Sequence, residues 1–168
     1  MNEINTFIEK DFLIQNMERE FETTIRVLNS YPEDKLDLKP SEISRSAREL
    51  VWTFVMEQGL TEKILGENPD YGGKIPEPIG NLNQMINTYE NMFHHNLKKI
   101  KEMSEGELNA NTKWFTGPGK LAEIRRLDVL NIFLFDMVHH RGQFSVYLRM
   151  AGGRVPSIYG PSHDEPWM

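Results

Sequence analysis

The stretch Phe133–Tyr147, FLFDMVHHRGQFSVY, decides how this chain is read. It lies inside the run Leu121–Met150, which has no proline and a single glycine, Gly142. From Val129 and Leu130 through Phe133–Phe135 and Met137–Val138 to Phe144 and Val146–Leu148, apolar residues fall on nearly every side of it. A helix that is apolar all round is buried on most faces. Into it the sequence sets Asp136, His139, His140, Arg141 and Gln143. Buried charges need ionic, hydrogen-bonding or metal partners, so this cluster is the strongest functional lead.

On a helical wheel Val129, Phe133, Asp136, His140, Gln143 and Tyr147 follow steps of four and three and share one face. Asp136 and His140, at i and i+4, can touch one ion or each other. A carboxylate with an imidazole suits zinc, nickel, iron or manganese. The alternative is a buried Asp–His pair that only fixes the packing. Arg141, beside this face, is expected to pair with an acidic residue on another helix, and Gln143 to bond a neighbouring helix. His94 and His95 offer further imidazoles but point in different directions, and His163 has no evident partner. Trp52, Trp114 and Trp167 fit a pocket wall or a core.

Outward from this helix, three more are expected. Residues 3–30 carry helical spacing through Ile4, Phe7, Ile8, Phe12, Ile14, Phe21, Ile25 and Leu28, and Asn29-Ser-Tyr-Pro32 ends them. Residues 33–44 read as a connection. Ser46-Ala-Arg-Glu49 has capping-box spacing and opens a second helix, closed by Gly66-Glu-Asn-Pro69 and Tyr71-Gly-Gly73. A long proline- and glycine-bearing loop follows, of the kind that is often functional. A third helix spans Asn81 to Met103. Residues 104–120, with Gly117-Pro-Gly119, read as a connection, and no strand pattern is evident. Ala151-Gly-Gly153 stops the fourth helix ahead of a proline-rich tail. The expected fold is all-α, a four-helix bundle with long connections in a single domain over 1–168.

Composition narrows the function. At 168 residues with 19 basic and 25 acidic side chains, net −6, the chain has no general attraction to nucleic acid. No run of about 18 apolar residues is present, and the opening MNEINTFIEKDF carries charges where a signal peptide needs an apolar stretch. With no cysteine there is no disulfide, thiolate nucleophile or Cys-type metal site. A soluble cytoplasmic protein is expected.

The motif His139-His-Arg-Gly-Gln143 with Val146-Tyr-Leu-Arg149, and then Gly153-Arg-Val-Pro-Ser-Ile-Tyr-Gly-Pro-Ser162, resembles the final-helix signature of the DinB/YfiT-like superfamily. Tyr31-Pro-Glu-Asp-Lys-Leu-Asp37 and Ser46-Ala-Arg-Glu-Leu-Val-Trp52 resemble that family's entry into its second helix. The resemblance implies a bundle of that family's crossover topology, often a homodimer, commonly binding one divalent metal through three histidines. Some relatives transfer thiol cofactors. Carried over by position, the last ligand falls on His140, the ligand one turn earlier on Asp136, and the second-helix ligand on Thr53, a poor ligand. Glu57, one turn beyond Thr53, either replaces it or simply faces solvent. Phe135 stands where a histidine would pair with His139.

Two readings follow. The leading expectation is a small-molecule-binding or stress-associated bundle with a degenerate metal site, in which Thr53, Glu57, His139, Gln143 and Tyr147 line a polar pocket. The alternative is a divalent-metal-dependent enzyme, a hydrolase or thiol transferase, with the ion (Zn, Ni, Fe or Mn) on Asp136 and His140 and protons moved by His139 or Tyr147. A purely structural dimer module is a third. The first two differ on whether Thr53, Glu57, Asp136 and His140 converge on one cavity.

Overall fold

The computed structural model describes residues 3–67, 69–72, 74 and 76–168, with the side chains of 3–8 outside that description. The side chains of Ile4, Phe7 and Ile8 of the expected apolar pattern, and Asn68 and Gly73 of the expected helix stop, therefore lie outside the described set. Four long helices make the bundle: α1 (Glu3–Asn29), α2 (Ala47–Leu65), α3 (Leu82–Glu102) and α5 (Arg126–Met150). The short helix α4 (Glu105–Asn109) and two strands, β1 (Asn111–Gly117) and β2 (Lys120–Arg125), lie between α3 and α5.

Local chemistry sets the helix starts. Ser46 accepts from the Glu49 amide while the Glu49 carboxylate accepts from the Ser46 amide, the reciprocal cap read from the sequence. Asn81 with Gln84 and Ser104 with Glu107 form the same device at α3 and α4. At the other end of α5, Gly152 takes φ +79°, and the amides of Gly152 and Gly153 donate to the carbonyls of Arg149 and Leu148. That is the left-handed stop expected of Ala151-Gly-Gly153.

α1 and α2 each pack mainly on α3 and α5. The connection from α2 to α3 therefore joins neighbours, whereas those from α1 to α2 and from α3 to α5 cross the bundle diagonally. The core between the helices is aromatic. Phe21 stacks on Phe93 with centroids 3.9 Å apart, and Tyr89 lies against both Phe21 and Phe54. The Tyr89 hydroxyl meets Met137 Sδ at 3.0 Å, and Asn96 donates to the carbonyl and side chain of Gln58.

The segment 104–125 corrects the sequence reading. It holds α4 and an antiparallel hairpin, and α5 begins at Arg126, five residues after Leu121. The alternation Thr112 in, Lys113 out, Trp114 in, Phe115 out is a strand signal, and Gly119, at φ +67°, supplies the turn. The signal is only one strand long, and β2 runs into the apolar helix without a proline. Trp114 packs on Phe133 and on Tyr71. Arg126, buried at the head of α5, donates to the carbonyls of Ile64 (2.7 Å), Gly66 (3.2 Å) and Glu107, tying the ends of α2 and α4 to α5. Among the described residues no helix is long and apolar enough to cross a membrane.

The acidic partner expected for Arg141 is Glu20 on α1. Their side chains are 2% and 4% exposed and 2.7 Å apart. Tyr159 of the tail joins them, accepting from Arg141 at 2.7 Å and donating to Glu20 at 2.6 Å. Burial alone would raise the Glu20 pKa, but hydrogen bonds from Tyr159 and Arg141 and the Arg141 charge hold it below the usual range. A depressed carboxylate contributes stability that is present above its unfolded pKa and lost as the pH falls through its folded value. Arg141→Met is expected to cost about 3–5 kcal/mol in urea unfolding at neutral pH, because it strands a buried carboxylate. That gap to the parent should close as the pH falls through the folded Glu20 value. A cost that is flat with pH would show that the ion pair is not what the variant removes.

Candidate metal site

α2 and α5 lie side by side, and their facing surfaces bring three ligating groups together. Glu57 stands on the buried face of α2, one turn beyond Thr53; Asp136 and His140 stand one turn apart on α5. His140 Nε2 is 3.4 Å from Glu57 Oε1 and 3.5 Å from Asp136 Oδ1, and one donor atom from each residue lies within 4.8 Å of the others. The Phe54 ring stands edge-on to the imidazole behind them. Glu57 and His140 are buried, while Asp136 is 45% exposed and opens the cluster to solvent.

The group fits a cation on three counts. Glu57 Oε1 is buried and has no hydrogen-bond partner; a stranded carboxylate oxygen is costly unless something positive meets it. Four-coordinate ions with bonds of about 2.1 Å hold their ligand atoms about 3.4 Å apart, close to the two spacings seen. The imidazole is also set in the ligating tautomer. His140 Nδ1 lies 3.0 Å from Gln143 Oε1 and donates to it, so Nε2 keeps its lone pair for the cluster. The Gln143 amide then donates to His139 Nε2 at 3.0 Å.

Without a cation the cluster needs a proton. Burial pushes the Glu57 carboxyl well above the carboxylate range, and the Asp136 charge and hydrogen bonding push it the same way, against the smaller pull of Arg45. Two carboxylates this close do not both stay ionised unless a positive charge joins them.

The remaining residues named from the sequence divide. Thr53 does not point a ligand at the cluster: its hydroxyl donates to the Glu49 carbonyl and accepts from Arg45 at 2.8 Å. Tyr147 also stands apart, donating to the Arg45 carbonyl at 2.9 Å, which removes it as a proton carrier to His140. Gln143 bonds residues of its own helix rather than a neighbouring one. His139 is exposed; its ring lies against that of His140 with centroids 5.2 Å apart, and its Nε2 meets the Gln143 amide. Phe135 is 69% exposed. On α3, His94 packs edge-on to Phe21 and His95 faces Glu62, so neither supplies another imidazole. Trp52 donates to the Pro76 carbonyl, Trp114 lies under the hairpin, and Trp167 is exposed in the tail. Arg45, which reaches both Thr53 and the field at Glu57, was not singled out in the sequence. It precedes the α2 cap in a loop, where no periodicity marks it.

A model of the DinB family matches residues 1–167, and the chain belongs to that family. It is 24% identical over 159 residues to the uncharacterized protein YrdA of Bacillus subtilis, covering 92% of this chain and 90% of that one. Among solved structures, a DinB-like protein of Bacillus subtilis superposes with a TM-score of 0.70 at 21% identity, over 87% of this chain and 96% of the other. A DinB-like protein of Bacillus cereus gives 0.70 at 19%, over 88% and 95%. YfiT of Bacillus subtilis, described as a probable metal-dependent hydrolase with an unusual four-helix bundle topology, gives 0.68 at 12%, over 85% and 87%. These likenesses show the four-helix fold of the family.

The Gln143 contact predicts a tautomer. In nitrogen-detected NMR, His140 should carry its proton on Nδ1. Gln143→Leu should move that proton to Nε2 or leave the two forms mixed. An Nε2–H tautomer in the parent protein would break the assignment of Nε2 as the free donor.

Proposed function

We propose that this member of the DinB family is a divalent-metal-dependent hydrolase of a small molecule, with Glu57, Asp136 and His140 as its protein ligands. The observation that carries the reading is Glu57 Oε1, buried, unbonded and 3.4 Å from the free nitrogen of His140. The carboxylate one turn beyond Thr53 thus stands where Thr53 itself offers no ligand. The description of the structural neighbour YfiT as a probable metal-dependent hydrolase supports the same class of chemistry.

The two-carboxylate, one-imidazole set is richer in oxygen than a three-histidine site, which favours harder ions such as manganese or iron while leaving zinc and nickel open. Bound there, a divalent cation supplies Lewis acidity and a bound water of lowered pKa. The chain's own residues do the rest. Gln143 fixes the ring of His140, the Phe54 ring covers its inner side, and Glu57 brings a charge that needs neutralising. Half-exposed Asp136 leaves the solvent side as the approach for water and substrate.

A second reading has an observation in its favour. The raised Glu57 pKa lets a proton stand in for the cation, as a metal-free small-molecule-binding bundle requires. Metal content separates the two. Untagged protein incubated with manganese, iron(II), zinc or nickel and freed of excess is expected to retain about one equivalent of at least one of them by elemental mass spectrometry. Asp136→Ala, His140→Ala and Glu57→Gln should each weaken that binding at least about tenfold, or about 1.4 kcal/mol. Retention of none of the four ions would overturn the metalloenzyme and leave the metal-free bundle.

The ion should also stabilise the fold. Any ligand bound only by the native state adds stability by mass action, and a hundredfold excess over Kd is worth about 2.7 kcal/mol. A chelator should therefore lower the Tm of the loaded parent and leave Glu57→Gln unmoved. In the metal-free state Glu57→Gln should melt no lower than the parent, since it replaces a buried carboxyl that must hold a proton there with a neutral amide of the same shape.

A further inference from the structure

Beside the triad lies a cavity of about 580 Å³ that no step above uses. That volume is in the range of small-molecule pockets, roughly 300–1,000 Å³. Its walls come from three separate parts of the chain. α2 contributes Trp52, Met56 and Leu60, the loop before α3 contributes Tyr71, and the hairpin contributes Phe115.

Hydrogen bonds hold these walls to one another. The Trp52 indole donates to the Pro76 carbonyl at 2.8 Å, and the Tyr71 hydroxyl donates to the Lys113 carbonyl at 2.6 Å. Tyr71 also lies against Phe115 and Trp114, with centroids 5.0 Å and 5.6 Å away. The interior is therefore an aromatic slot, and Phe115 remains 43% exposed along it. Exposed aromatic surface gathered around a concavity marks a binding site more often than a packing fault.

One end of the slot is polar. Arg45 and Thr53 stand there; Arg45 is the one cation among the described residues that line the cavity, whose lining also includes the carboxylates of Glu49 and Glu77. One guanidinium nitrogen donates to Thr53 Oγ1, and among the described residues Arg45 forms no ion pair with a carboxylate. Glu49, also on this wall, already accepts from the Ser46 amide in the α2 cap. Arg45 thus lines the slot with a guanidinium, the group that recognises a carboxylate, and among the described residues no carboxylate meets it in a direct ion pair. Thr53 lies one turn before Glu57 on α2 and Leu60 nearly one turn after it, so Glu57 borders the face of α2 that lines the cavity.

The geometry points to this cavity as the substrate chamber of the triad, taking a small carboxylate with an aromatic or alkyl body. The body lies among Trp52, Tyr71 and Phe115, and the carboxylate meets Arg45. The assignment of the chamber to substrate rests on the hydrolase reading; the binding of such a ligand does not.

Phenylbutyrate and the neutral phenylbutanol, titrated into the full chain and followed by calorimetry and ligand-observed NMR, test it. Arg45→Gln drops the charge and keeps a polar side chain, and Phe115→Ser removes apolar wall from an exposed strand position. Phenylbutyrate should bind saturably to the parent, and about tenfold more weakly to each variant; tenfold corresponds to about 1.4 kcal/mol. Phenylbutanol should be weakened by Phe115→Ser alone. Glu57→Gln, which removes the metal site, should still bind phenylbutyrate, so a failure of the metal reading and a failure of the chamber give different results. Thermal unfolding of both variants at the parent's Tm would show that neither loss is a folding defect. Absence of saturable phenylbutyrate binding, or binding insensitive to both substitutions, would overturn the chamber. Equal affinity for the alcohol and the acid would overturn the carboxylate.

Discussion

Arg141 is the charge around which the bundle closes. A guanidinium cannot sit in a helix interface with 1% of its residue surface exposed unless its charge is matched and its donors are used. Glu20 supplies the charge from α1, and the Glu20 carbonyl and Tyr159 hydroxyl take further donors. α1 must therefore lie against α5 in one register, and the tail after α5 must fold back to bring Tyr159 over the pair. Apolar packing alone would tolerate sliding of one helix along the other. The buried ion pair does not, because one turn of slip would strand two charges.

Fixing that side of α5 determines what its other side does. Arg141 faces α1, so its neighbour His140, about 100° further round the helix, faces α2. There it meets Glu57. The two buried polar arrangements differ in kind. The Arg141–Glu20–Tyr159 set is complete, with each group satisfied by the others. The Glu57–Asp136–His140 set is incomplete: it holds more negative charge than positive and leaves an oxygen unbonded. Structural networks tend toward the first state, and sites that receive a ligand toward the second.

Much of this was legible in the sequence because it is local. The spacing of Asp136 and His140, the Ser46–Glu49 cap, the Gly152 stop and the need of Arg141 for an acid are all consequences of residues within a turn or two of each other. The third member of the cluster was less legible. Positional likeness pointed to Thr53, and only the packing of α2 on α5 shows that its hydroxyl is held by Glu49 and Arg45 while Glu57 turns inward. The hairpin was hidden for a different reason. Its strands are short, and the second, mostly exposed and without an in–out alternation, passes into an apolar helix with no breaker. Tyr147 shows the limit of the helical wheel: sharing a face with His140 placed it near the site in angle, but two turns along the axis its hydroxyl finds the Arg45 carbonyl instead.

The diagonal crossings explain why site and cavity occur together. Setting α2 beside α5 with α1 across the bundle requires the chain to pass over an end twice, and each passage needs more residues than a tight turn. The first passage carries Arg45 to the head of α2. The second carries the hairpin, whose Phe115 and Trp114 close on Tyr71 from the loop between α2 and α3. The same topology that brings Glu57 to His140 thus supplies the segments that wall a slot beside them. A simple up-and-down bundle with short turns would have neither. This is why the long connections wall the cavity outside the triad itself.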